Sequence, residues 1–528
     1  MRFKMKRVLP LTASRKGSST MTVVPIATQH RDKRTPPDRH IVIVGAGIAG
    51  IGMAITLRRN GIDNFTVLER AGDIGGVWRD NVYPGVGADV PSFSYQFSFE
   101  KNPGWSRLFP KGEEIKRYLD RCVEKYDIAR HIELGTEVLE RRWSEGERVW
   151  YVHTNHGEFT SRYVISALGP FVNPRTPSIP GLEDFTGIVM RSQQWDHRQD
   201  LTARRVAVIG TGASAVQLVP KVAETAAHLT VFQRRPIHVL PKLDIPVPGP
   251  LQRVIAAVPG SQDALRLAFT AQVEVLLVAV AAYGKSVAPL ARGLSAASRA
   301  LLFAQVRDPG LREKLTPDYD FGCKRPSVSN AWYRTFTRDN VSLVTEPIDH
   351  VTSTGVRTVD GAEHPVDVLV LATGFHFAHE PINYRISPVQ TSDGFDLADF
   401  FETEALQSYE GVSLPQLPNA FSLFGPYSWS GGSYHVMVET QANHIIRVLR
   451  EAERRGADRV AVRPEANARF LEFVRARADN SLLAISNCAS ANSYYFDHHG
   501  DFSSLRPTSG LQAWWTSRTF PLDDYAYN

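Results

Sequence analysis

Short unbroken apolar runs alternate along this chain with stretches whose apolar residues recur at helical spacing. The run HIVIV (His40–Val44) shows no polar alternation, as expected of a strand buried on both faces of a parallel sheet. Glycines follow, then a helical pattern, then a second strand in FTVLER that ends at Glu69. The same order returns at RRVAVIGTGASAVQLVP, with a strand over Val206–Ile209, a helix, and the next strand in LTVFQRRP. Three further runs have the same character: RYVISALGP, DVLVLATGF (Asp367–Phe375) and FSLFGP (Phe421–Pro426). From about 245 to 320, stretches such as LSAASRALLFAQV are rich in helix formers and predict an inserted helical lobe. Within it, VLLVAVAAY (Val275–Tyr283) is far shorter than the roughly 20 residues needed to span a bilayer. A buried helix, or one lying on a membrane surface, fits it.

The pattern predicts an α/β chain with two Rossmann-like dinucleotide-binding domains and no other internal repeat. In the first unit Gly45, Gly47 and Gly50 form G-x-G-x-x-G between strand and helix. Such glycines permit a tight turn, close approach of a pyrophosphate, and close helix–strand packing. The helix N-terminus offers unpaired N–H groups to the phosphates. Glu69, nineteen residues past Gly50, stands where an acid binds a ribose diol. In the second unit Gly210, Gly212 and Ala215 form G-x-G-x-x-A. There the position nineteen residues past Ala215 is Arg234, followed by Arg235. Guanidinium groups bind the 2′-phosphate that a carboxylate would repel, which points to NADPH at the second site. Two such folds in one chain imply a flavin and a nicotinamide cofactor.

Composition changes the picture little. At 528 residues, 43% hydrophobic and 22% charged, the chain is an ordinary globular protein of two or more domains. The net charge of +5 arises in the tail: residues 1–39 carry ten basic and two acidic side chains, and the remainder is net negative. A basic tail on an acidic body gives no nucleic-acid footprint. Residues 1–37 predict a disordered extension, with Met21 a candidate start. Three distant cysteines, Cys122, Cys323 and Cys488, suggest a reducing compartment, no disulfide framework and a cytoplasmic setting.

After Glu69 the chain reads GGVWRDNVYPGVGAD. Gly75, Gly76, Trp78, Tyr83, Pro84, Gly85 and Asp89 match a long gapped motif, and here the sequence resembles the flavin-dependent Baeyer–Villiger monooxygenases with FAD and NADPH sites on one chain. The resemblance covers about residues 38–528. It implies Arg325, in YDFGCKRPSVSN, as the cation beside the flavin, held by Asp89, and Lys324 as a contact to the NADPH phosphate. Pro326 favours an extended backbone before it, so Lys324 and Arg325 would point to opposite faces. Arg325 and Asp89 are therefore the catalytic candidates. The cofactor-binding candidates are Gly45, Gly47, Gly50, Glu69, Gly76, Val77, Trp78, Asp89, Tyr95, Val138, Gly210, Thr211, Gly212, Ser214, Ala215, Gln217, Arg234, Arg235, Lys324 and Arg325. The implied reaction passes from NADPH-reduced FAD through a C4a-peroxyflavin. One oxygen of O2 is then inserted beside a ketone or aldehyde carbonyl, giving an ester or lactone.

A second family fingerprint is met at Phe185, Gly187, Trp195 and Asp196, but Arg191 stands where the family has histidine. Arginine does not titrate near neutral pH, so any role needing a neutral imidazole is lost. A solvated linker cation packed on Trp195 is the alternative. Sulfide or amine oxygenation, uncoupled NADPH oxidation, and a non-catalytic flavoprotein serving as a redox sensor or interaction partner are the competing functions. The domain expectation is a tail at 1–37, an FAD domain from 38–170 and 385–528, and an NADPH domain at 171–384. Trp429, Ser433 and Tyr434 are candidate pocket residues with a Gly431–Gly432 hinge. Trp514 and Trp515 would close the pocket, or one of them would pack in the core.

Overall fold

The computed structural model describes residues 40–275, 283–430, 433–485, 488, 491 and 493–528. They belong to one compact unit, Pro36–Asn528. The tail, the centre of the Val275–Tyr283 run and the Gly431–Gly432 pair lie outside the described residues.

The elements that position the site run in this order. First come β1 (Ile41–Val44), α1 (Ile48–Arg59), β2 (Phe65–Leu68), β3 (Ile132–Glu133), β4 (Val138–Ser144), β5 (Val149–Thr154), β6 (Gly157–Ser161), β7 (Tyr163–Ser166) and β8 (Phe171–Pro174). Next are β9 (Ile188–Arg191), β10 (Arg205–Ile209), α2 (Ala213–Val222), β11 (His228–Phe232), β12 (Val341–Val344), β13 (Val368–Leu371) and β14 (Phe375–Phe377). The chain ends through β15 (Val389–Thr391), α3 (Leu397–Thr403), β16 (Ala420–Ser422) and α4 (Tyr434–Arg455).

Two parallel five-stranded sheets result. One has the order β16-β7-β1-β2-β3 and the other β12-β11-β10-β13-β9. Both faces of each are covered, which is why their strands lack polar alternation. Ile41, Ile43 and Ile165 pack with α1 and α4 residues, while Val42, Val44 and Val164 pack with Trp143 and Trp150. In the second sheet Val206, Val208, Val368 and Val370 face one cluster, and Ala207, Ile209, Leu369 and Leu371 the other. The apolar runs of the sequence are thus strands of the two parallel sheets, with FSLFGP supplying the edge strand β16 beside β7.

A third sheet, β15-β4-β5-β6, covers the Val42 face of the first. The two Gly turns after β7 and β13 lead into β8 and β14, which pair with each other in antiparallel fashion and join the two sheet systems. Between β11 and β12 lie the helices Gly249–Ala257, Ser261–Val273, Ala288–Gln305 and Pro309–Leu315, where the helical lobe was expected. Trp514 and Trp515 sit on the helix Gly510–Thr519 and are 39% and 61% exposed, so neither fills the core.

Candidate active site

The two glycine signatures fold into matched cradles. Gly45 (φ +103°) and Gly210 (φ +113°) take left-handed turns at the strand ends. A Cβ on either would meet carbonyl oxygens, of Ala167 at 2.9 Å and Ala372 at 2.5 Å. Gly47 and Gly212 cap α1 and α2 with no side-chain cap and no acid in the first turn. A Cβ on Gly212 would meet nothing within 4 Å, and one on Gly47 only the Gly76 Cα at 3.7 Å. Open space therefore faces two uncapped helix starts, as a pyrophosphate requires. The third glycine does a different job: a Cβ on Gly50 would fall 1.8 Å from the Gly45 oxygen. Ala215 is fully buried at the equivalent place in the second unit.

Glu69 is buried at the end of β2 and accepts hydrogen bonds from the Ala46 N–H (2.9 Å), the Ala71 N–H (3.0 Å) and Arg79 Nη1 (3.0 Å). A ribose diol would share this carboxylate with Arg79, a residue that sequence reasoning missed although it follows Trp78 in the same motif. Gly76 (φ +54°) opens the helical turn Val77–Asp80, and Trp78 Nε1 donates to the Tyr95 hydroxyl at 3.1 Å. Val138 starts β4 with its side chain in the cluster shared by Val44 and Leu68. Ser433 Oγ and Tyr434 Oη, at the start of α4, are buried without a hydrogen-bond partner among the described residues. The open cradle and these orphaned polar atoms fit a flavin nucleotide.

At the second cradle Thr211 Oγ1 donates to the Arg235 carbonyl at 2.8 Å. Gln217 uses its amide to hold the motif loop: Nε2 donates to the Gly87 carbonyl (2.9 Å), and Oε1 accepts from Gly87 N–H (3.2 Å) and the Tyr83 hydroxyl (3.1 Å). Ser214 hydrogen-bonds the same Tyr83. Gln217 and Ser214 thus latch the loop that carries Asp89 onto α2. Arg234 is exposed, and Arg235 Nη1 donates to Asp318 Oδ2 at 2.6 Å. Burial, then the neighbouring Arg234 and Arg235, lower the Lys324 pKa. Three cations without an equal number of acids fit the 2′-phosphate of NADPH.

Arg325 and Asp89, 236 residues apart, form a two-point ion pair: Nε to Oδ2 and Nη2 to Oδ1, each 3.0 Å. The guanidinium also lies over the Trp429 ring at 5.4 Å. Burial acts to lower the Arg325 pKa, but Asp89, then Tyr494 and Tyr495, outweigh it and the net shift is upward. Trp429, Phe377 and Tyr494 stand as near-parallel rings, 5.2 to 6.3 Å apart, and Trp429 and Tyr494 are among the groups facing this cation. The tyrosine pair was also missed from sequence; its only signal was the aromatic run in SANSYYFDHHGD. Arg191 ends β9 opposite Leu371 and makes no side-chain hydrogen bond or ion pair with a described residue.

One expectation is overturned. Cys323 and Cys488 are bonded, with Cα atoms 4.9 Å apart, and only Cys122 is free. Their separation of 165 residues concealed this, because the C-terminal segment packs against the irregular segment around Cys323, next to Lys324 and Arg325.

Fold and site together define a two-dinucleotide flavoprotein oxidoreductase. A family model for pyridine nucleotide-disulphide oxidoreductases matches residues 42–274. A Baeyer–Villiger monooxygenase of Pseudomonas aeruginosa is 36% identical over 452 residues, 85% of this chain and 84% of that one. Cyclohexanone monooxygenase from Rhodococcus, bound to NADP+, superposes with a TM-score of 0.81 at 25% identity, covering 94% of this chain and 100% of that one. The protein OTEMO in complex with FAD and NADP gives a TM-score of 0.80 at 26% identity, with coverage of 94% and 100%. The chain belongs to the Baeyer–Villiger monooxygenase family.

Proposed function

We propose that the protein binds FAD and NADPH and uses O2 to insert one oxygen beside the carbonyl of a small ketone or aldehyde. The observation that carries this is the two-point Asp89–Arg325 ion pair, its guanidinium over the Trp429 ring, with Asp89 on the loop that Gln217 of the second cradle holds. FAD, when bound, supplies the redox and oxygen-activating chemistry, with NADPH as reductant. Gly47, Gly76 and the start of α1 would hold the FAD pyrophosphate, and Gly212 with Lys324, Arg234 and Arg235 the NADPH phosphates.

Arg325 supplies a fixed positive charge. Asp89 occupies its Nε and Nη2 edge, which fixes the plane of the fork and leaves Nη1 free to donate to an oxygen gaining negative charge. A lysine there would tend to lose its proton on burial, as Lys324 is already pushed to do, whereas a guanidinium stays charged. Trp429, Phe377 and Tyr494 exclude water from that edge, and the lower local dielectric strengthens the Arg325 field. The same aromatic wall supplies an apolar face for a carbonyl substrate.

A cytoplasmic setting belongs to the same proposal. The Cys323–Cys488 bond puts a condition on it, since a reducing compartment would hold the pair as thiols.

The test is turnover of FAD-loaded protein with NADPH and 18O-labelled O2 against ketones, sulfides and amines, with products read by mass spectrometry and peroxide counted. An ester or lactone carrying one label is expected. Arg325→Ala should still reduce flavin but lose oxygenation. Sulfoxide or N-oxide as sole product, or normal ester yield from Arg325→Ala, would refute the assignment.

A further inference from the structure

A buried arginine that neither nucleotide cradle uses stands on β4. Arg141 is 2% exposed, on β4 between the first and third sheets. Its inward position results from a register shift. Val138 pairs with Thr154, Glu140 with His153, and Arg141 with Val152, so a bulge at Leu139 reverses the alternation and turns Arg141 and Trp143 inward. Bulges commonly re-aim a side chain in this way.

Among the described residues no acid faces this guanidinium. Nη2 donates to the Ser387 carbonyl (2.8 Å) and to Ser387 Oγ (3.3 Å), and Nε is buried without a partner among the described residues. Among the described residues, the charge neighbour that bears on it is the Tyr384 phenol, whose hydroxyl makes no hydrogen bond to a described residue. Burial lowers the Arg141 pKa to about 10, so the group still carries its charge at neutral pH. A buried cation without a counter-ion is costly, and buried charges are ordinarily paired.

Arg141 and Tyr384 line one cavity of about 70 Å³. At about 10–15 Å³ per water-sized position it holds on the order of five to seven heavy atoms. Leu397, Phe401, Val412, Leu414 and Leu417 form most of the opposite wall. A doubly charged oxyanion such as phosphate suits so apolar a wall poorly. A carboxylate head matches the flat, two-donor edge of an arginine.

We propose that this cavity is a binding site for a short, unbranched monocarboxylate of about four carbons, its carboxylate on Arg141 with Tyr384 as second donor. The aliphatic tail lies on the leucine and phenylalanine side chains. The site lies beneath β7 and β16, away from the face that α1 and the cofactor cradle occupy.

The experiment is calorimetric titration of the FAD-loaded enzyme with butanoate, butanamide and octanoate, together with thermal unfolding. Saturable one-to-one binding of butanoate with a rise in Tm is expected. Butanamide should bind at least about tenfold more weakly, as loss of a charge-assisted contact implies, and octanoate should be excluded by size. Arg141→Met should weaken butanoate by a similar factor, and Tyr384→Phe by less. Should Arg141→Met fail to fold, Ala420→Leu fills the cavity with Arg141 in place and should also abolish binding. No saturable binding by the wild type, equal binding of butanamide, or butanoate binding that survives both variants would overturn the proposal.

Discussion

Neutralising Asp318 should tighten NADPH binding without touching NADH. Asp318 Oδ2 lies 2.6 Å from Arg235 Nη1, at the edge of the cluster formed with Arg234 and Lys324. A 2′-phosphate on the far side of that guanidinium would lie about 7 Å from the carboxylate. In water-like dielectric, two like unit charges at that distance repel by about 0.6 kcal/mol, a factor of about three. Asp318 is half exposed, so no larger value is warranted, and added salt should shrink the effect. Asp318→Asn should therefore lower KM for NADPH about threefold at low ionic strength, with kcat and the NADH constants unchanged. Arg234→Ala should act in the opposite sense. It loses one contact to a charged group, about 1.5–3 kcal/mol, hence about ten- to 150-fold in kcat/KM for NADPH, near the lower end because Arg234 is exposed. Steady-state kinetics with both nucleotides, over a salt series, reads both effects. Equal changes for NADPH and NADH would refute the assignment of this cluster to the 2′-phosphate.

Three other predictions follow from single environments. The His379 ring stacks on Phe424 with neither nitrogen bonded to a described residue, and burial lowers its pKa to about 3. An unfolded histidine titrates near 6.5, so below that pH the unfolded chain binds a proton the native state refuses. This contribution to stability is complete above about pH 6.5 and is lost, at up to about 1.4 kcal/mol per pH unit, as pH falls toward 3. Denaturant titrations of His379→Phe between pH 6 and 4.5 should show a flatter acid limb; an unchanged slope would mean the imidazole is charged in the fold. Thiol counting in denaturant should find one thiol before reduction and three after, and reduction should lower stability by about 2–4 kcal/mol; three thiols at the outset would show the bond is not formed. Arg191→His should raise the fraction of NADPH that appears as product rather than peroxide, and equal leakage from both proteins would show that the arginine is merely tolerated.

The sequence alone determined the two nucleotide units, because their requirements are local. A strand buried on both faces must be apolar throughout, and the turn that follows must tolerate positive φ, as Gly45 and Gly210 do. The arginines after β11 and the Gly-Gly-x-Trp loop could likewise be picked out as candidates, since residue type within a few positions suggests their chemistry. Tertiary structure alone decided what long-range contact creates. Asp89 meets Arg325 across 236 residues, Cys323 meets Cys488 across 165, and Tyr494 arrives beside the same cation from the C-terminal segment. Gln217, a cofactor candidate by position, holds the Asp89 loop because α2 happens to pass beneath it. Arg141 is one of three adjacent charged residues in the β4 sequence VLERRWS. A one-residue bulge, invisible in the alternation, turned it into the interior, where no acid among the described residues faces it.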